Sequence, residues 1–188
     1  MRSFLISLQS EFFKSRRTLA FWASILIPVI ICGLVAFGFF SSADKIAKQN
    51  YTSTILWIQY LRPIISTMGM LILPFYIIFM AFSVNNIEHK NDTWKMLFAQ
   101  PLNKFSIYSA KYVYGLLLIA ICLVLFALIG YALAYILMAL DGRLNFGDAS
   151  PVMFLSTLYV KLFISSLGIY SIQFILSLIW GDFLKPMG

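Results

Sequence analysis

The chain has one histidine, two cysteines, seven acidic and fourteen basic side chains with which to do chemistry. His89 follows Glu88, with Asp92 close behind, the one place where acid, imidazole and acid stand together. That cluster, at the membrane surface, is the type of group an intramembrane hydrolase would use for general acid–base work. A single His nevertheless leaves few routes to the usual constellations, which need several metal ligands or a base with its own orienting partner. Cys32 and Cys122 each fall inside an apolar run without motif spacing, so they read as small buried hydrophobes. No Gly-x-x-x-x-Gly-Lys-Ser/Thr stretch occurs, so no loop here can cradle nucleotide phosphates. Gln59 and Gln173 are the polar residues at or near apolar stretches, and Gln173 is expected to hydrogen-bond between helices. Met68, Met70 and Met80 read as packing or lipid-facing residues, not as a metal relay.

The elements that must carry these residues are set by composition. Of the 188 residues, 61% are hydrophobic and 11% charged, whereas soluble domains average about 45–50% apolar and about 25% charged residues. A soluble fold of this size leaves roughly 30% of its unfolded-chain surface exposed, too much to keep such a chain in water. Lipid must be part of the solvent. The net charge of +7 comes from cations between the apolar runs, with no basic stripe or recognition module. That pattern marks topology and anionic lipid, not nucleic acid.

Four runs are long enough to cross a bilayer, at residues 19–40, 64–84, 112–140 and 162–180. Each must be helical, because lipid offers backbone groups no other partner. The first exceeds the 7–15 apolar residues typical of a signal peptide and reads as a retained span. None of the runs holds a charge that would suggest a proton relay or ion path. With the N-terminus cytoplasmic, nine Lys and Arg side chains fall on that side and five on the other, so the positive-inside rule favours this orientation. The sequence thus predicts an all-α integral membrane protein, a single polytopic bundle over 1–188. Residues 41–63 and 141–150 read as connections on the outer side.

Two segments expected on the cytoplasmic side carry more information. Residues 1–18 form an amphipathic helix. Phe4, Leu5, Leu8 and Phe12 share one arc with Ile6 and Phe13, while Ser7, Ser10, Glu11, Lys14 and Arg17 lie opposite. Such a helix rests in the headgroup layer, apolar face down and basic residues toward anionic lipid, or it is simply the basic flank that sets topology. The loop 85–111 holds Trp94, Leu97 and Phe98 on one face of a short helix that Asn91 or Asp92 can cap and Pro101 ends. Asn103 can cap the next. So short a helix needs the bilayer interface or a protein partner to hold its aromatic face.

In this order the segments resemble the permease subunits of type-2 ABC exporters, and within them the small-permease branch of lantibiotic-immunity and bacitracin-resistance transporters. The resemblance is carried by Glu11, Lys14, Arg16 and Arg17 before the first span. More firmly, it rests on Glu88-His89-Lys90, Thr93-Trp94-Lys95, Leu97, Pro101, Lys104, Ile107-Tyr108 and Lys111. Gly168, Gln173-Phe174 and Leu176-Ser177-Leu178 match the fourth span. It implies an interfacial elbow helix bearing Glu11, Lys14, Arg16 and Arg17, and a cytoplasmic coupling helix between spans two and three. In that helix Thr93, Trp94, Leu97, Phe98 and Pro101 would meet a groove of a cytosolic ABC ATPase subunit, with Glu88, Lys90 and Lys95 around it. ATP and Mg would be bound by that partner and no cofactor by this chain. A second permease, identical or paralogous, would complete the pore in a bacterial plasma membrane.

The resemblance also implies six spans, so these residues are expected to be the N-terminal part of a longer product. Where the family often has Gly before the Thr, this chain has Asp92. The resulting expectation is a non-enzymatic export permease for an amphiphilic or peptide-like substrate. The alternatives are a membrane scaffold or assembly protein and the His89-centred hydrolase.

Overall fold

The computed structural model describes residues 2–16, 18–49, 51–90, 103–147 and 151–179, with side chains except at 2–3 and 87–90. Among these residues there are helices and no strand. In chain order they are α1 (Arg2–Ser15), α2 (Leu19–Ser41), α3 (Ala43–Ala47), α4 (Ser53–Thr67), a π-helical turn (Met68–Ile72), α5 (Leu73–Lys90), α6 (Lys104–Leu140) and α7 (Val152–Ile179). Four rods are long and apolar enough to span a bilayer: α2, the α4–π–α5 rod over Ser53–Asn86, α6 and α7. The protein is a multi-pass helical bundle.

The helices outrun the apolar stretches at several ends. The second rod begins at Ser53, ahead of the apolar run at 64–84, and α7 begins at Val152, ahead of 162. These leading turns carry polar residues such as Gln59, Arg62 and Lys161 and so lower the local hydropathy without breaking the helix. At 37 residues, α6 is about 55 Å long against a hydrocarbon core of about 30 Å. Four cations expected outside the spans therefore lie inside membrane-length helices: Lys111 is buried in α6, while Arg62, Lys104 and Lys161 are exposed.

Apolar residues surround these helices on all sides, so hydrophobicity cannot say which side packs. On α2 residue size decides it. The buried face of α2 runs through Ala20, Ser24, Pro28, Cys32 and Ala36, small or compact residues spaced four apart, and ends at Phe39. Leu19, Trp22, Leu26, Ile30, Leu34 and Phe37 stay exposed. Lipid is as apolar as Leu, so association depends on close backbone approach, which small residues allow. Along this stripe α2 lies on α6, and the Cys32 thiol reaches the Phe126 carbonyl at 3.9 Å. Gly115 is required where α6 meets α7: an added Cβ would collide with the Tyr170 hydroxyl and ring. Tyr170 in turn donates to the Tyr112 carbonyl at 3.2 Å, while the Tyr112 and Ser171 hydroxyls pair at 2.7 Å.

The end of the bundle away from α1 is closed by aromatics. Trp57 Nε1 donates to the Phe146 carbonyl at 3.0 Å and its ring stacks on Tyr131, centroids 5.6 Å apart. Leu144 and Phe146, from the loop after α6, are completely buried there. Arg143 holds that loop by pairing with Asp141 and Asp44, each at 2.8 Å.

Candidate functional site

The site is the opposite end, where α1 meets the two helices that lead into and out of segment 91–102. The turn into the first span is tight because Thr18 works twice. Its hydroxyl donates to the Ser15 carbonyl at 2.7 Å and accepts from the Phe21 N–H at 3.5 Å, capping α2. This folds α1 back against α6.

The face that α1 turns inward differs from the one its polarity suggests. Ser7, Glu11 and Ser15 are buried, whereas Leu5, Ile6, Phe12 and Phe13 are exposed. The apolar arc is thus free to face lipid, as an interfacial helix requires. The polar stripe does not face water or headgroups at Glu11; it packs on protein. The reason is Lys111, a hundred positions away, whose ammonium meets the Glu11 carboxylate at 3.0 Å. Lys111 is 0% and Glu11 3% exposed. The same ammonium donates to the Val84 carbonyl on α5 at 3.1 Å. Lys14, one turn on, reaches the other Glu11 oxygen at 3.4 Å.

Lys111 therefore joins three elements at one atom: α1, α5 just before segment 91–102, and α6 just after it. Burying two charges costs several kcal/mol each, which only good geometry and further hydrogen bonds recover. Here the carboxylate has a cation on each oxygen, and the buried ammonium has a carboxylate and a carbonyl. Beside it, Asn85 Nδ2 donates to Ser177 Oγ at 2.7 Å and to the Ala81 carbonyl at 3.3 Å. That bond fastens α5 to α7 next to the Lys111 tie, so α1, α5, α6 and α7 are cross-linked at this end by polar contacts.

Of the residues singled out from sequence, Glu11 and Lys111 are brought together, Lys14 joins them, and Arg16 is exposed nearby. Asn103 caps α6, its Oδ1 accepting from the Phe105 N–H at 3.0 Å. Gln173 is half-buried and makes no hydrogen bond among the described residues; the bonds between helices there are made by Asn85, Ser177, Tyr112, Ser171 and Tyr170. Arg17, Thr93, Trp94, Lys95, Leu97, Phe98 and Pro101, with the side chains of Glu88, His89 and Lys90, lie outside the described residues. Asn85 and Val84 were missed because nothing in an apolar helix end marks which carbonyl or amide will meet a partner. Lys111 had two signals, its part in the family resemblance and its place at the head of the apolar run at 112.

A family model described as ABC-2 family transporter protein matches residues 7–188. No curated protein and no solved structure matches.

Proposed function

The chain belongs to the ABC-2 transporter family, and on that premise we propose that it is the membrane permease subunit of an ATP-binding-cassette exporter powered by a separate ATPase. The observation that carries this reading is the Lys111 tie. A permease without a nucleotide-binding loop must receive movement through a cytosolic segment, and helices that merely flank such a segment would transmit little. Here both flanks of segment 91–102 are fastened at one buried ammonium, and through it to α1. A displacement of that segment would reach α5, α6 and α1 together.

In this reading Trp94 and Phe98, with Thr93, Leu97 and Pro101, form the face that docks on the ATPase, and Glu88, Lys90 and Lys95 surround it. ATP and Mg belong to that partner, and ATP must bind the two permease states with different affinity for hydrolysis to drive transport. The N-terminus is cytoplasmic, the membrane is the bacterial plasma membrane, and Lys14, Arg16 and Arg17 face anionic lipid. A second permease, identical or paralogous, completes the path. The substrate is amphiphilic or peptide-like, of the antibiotic or lantibiotic type.

The test is co-purification of the full gene product from its native host in mild detergent. A Walker-motif ATPase should accompany it and be lost when Trp94→Ala and Phe98→Ala are combined, with insertion unchanged. Recovery without any ATPase, from membranes that contain one, would overturn the reading in favour of a scaffold. Loss of a hydrolytic activity on His89→Ala would favour the enzyme.

A further inference from the structure

At the end away from α1, the ends of α2 and α4 and the short α3 enclose an open cavity of about 440 Å³. Its lining is graded along the bundle axis. Val35, Gly38 and Phe39 of α2 form an apolar wall with Gln59 of α4 at the same level, where Tyr60 meets Phe39, and past the end of α2 Lys45 and Gln49 supply an ammonium and an amide. The wall has a groove because Gly38 lacks a side chain: a Cβ there would meet nothing within 4 Å.

Among the described residues the charge around the cavity is one-sided. Asp44 and Asp141 are both committed to Arg143. Lys45, Lys48 and Arg62 make no ion pair among the described residues. An apolar groove under an unneutralised ammonium, at the end of a membrane span, has the shape and charge of a single anionic amphiphile. Acidic phospholipid is the species with that chemistry that the bilayer itself would bring to this position.

We propose that this cavity binds one acidic phospholipid from the surrounding leaflet. Its phosphate sits at Lys45, with the Gln49 amide as a donor, and an acyl chain runs along the Gly38 groove. The site is separate from the basic face of α1 at the other end.

The full chain in detergent, offered equimolar phosphatidylglycerol and phosphatidylcholine, is read by native mass spectrometry for the first lipid retained. Phosphatidylcholine has the same phosphate, but its choline cation cancels the charge. Removing the attraction of one lysine for a net-anionic headgroup should therefore lower anionic-lipid preference about fivefold. Lys45→Gln should bring the two lipids near parity while Lys45→Arg keeps the preference. Gly38→Leu fills the groove and should reduce retention of both lipids. Thermal unfolding of each variant checks the fold; Lys45 is exposed and Gly38 faces open space, so neither change disturbs packing. A preference that survives Lys45→Gln overturns the proposal, as does retention unaffected by Gly38→Leu.

Discussion

Glu11 and Lys111 form a buried pair whose two members are not equivalent. Lys111 has a second acceptor in the Val84 carbonyl, and Glu11 a second cation in the partly exposed Lys14. Removing either partner leaves a buried charge uncompensated, a loss that costs about 3–5 kcal/mol in proteins. Lys111→Met should cost the larger share, because it strips Glu11 of its buried cation and Val84 of its donor. Combining Glu11→Gln with Lys111→Met should be milder than the sum of the single changes, and a double-mutant cycle of thermal unfolding in detergent measures this. At the far end, the side-chain and backbone hydrogen bonds of Arg143 hold the Asp141 carboxyl below the usual carboxylate range. A lowered folded pKa means that the contribution of this loop contact is present above the ordinary carboxylate range and fades as pH falls through the lowered value. Carboxyl NMR titration should find the Asp141 midpoint low, and Arg143→Gln should raise it.

Along α2 packing follows residue size, and across the bundle glycines separate by what stands opposite them. Gly115 has the Tyr170 ring against its Cα, whereas Gly33 on α2 has nothing within 4 Å of where a Cβ would be. The same substitution should therefore have opposite signs. Gly115→Ala overpacks the α6–α7 contact and should cost about 1–3 kcal/mol, partly relieved by Tyr170→Leu. Gly33→Ala should stabilise by up to about 0.5–1 kcal/mol through helix propensity alone. Melting temperatures of the two variants in one detergent test the contrast. The second rod shows a different device. Its π turn at Met68–Ile72 separates α4, which packs on α2, from α5, which packs chiefly on α7. A π turn admits one extra residue into the helical ladder, so the two halves can each present their own packing face.

For the whole molecule, the consequence of the Lys111 tie is a prediction about charge reversal. Were the contact a simple ion pair, Glu11→Lys with Lys111→Glu would restore it. Because Lys111 also donates to Val84, the reversed pair sets a carboxylate against a carbonyl, two acceptors without a proton between them. The reversed variant should therefore recover only part of the stability lost by Lys111→Glu alone. If the chain works as an ATPase-driven permease, ATPase stimulation in the assembled transporter should recover less than stability does. Full recovery of both, by thermal unfolding and ATP turnover, would show that the Val84 contact adds nothing.

Composition alone determines the class of this protein, since no soluble surface could carry so many apolar side chains. Lengths of apolar runs determine that four rods cross, and the Asn103 cap was legible because capping is local, a side chain meeting an N–H two residues on. The helix starts at Ser53 and Val152 were not legible, because a helix continues through polar turns once neighbouring rods and the headgroup layer satisfy them. Which face of α1 is buried was also beyond local reading. A helical wheel separates polar from apolar residues, but it does not tell a carboxylate facing water from one facing a buried ammonium. That depends on Lys111, itself held by the Val84 carbonyl, arriving from a distant helix, and only the tertiary structure brings it to Glu11. Hydropathy sums over neighbours in sequence; electrostatic pairing is decided by neighbours in space.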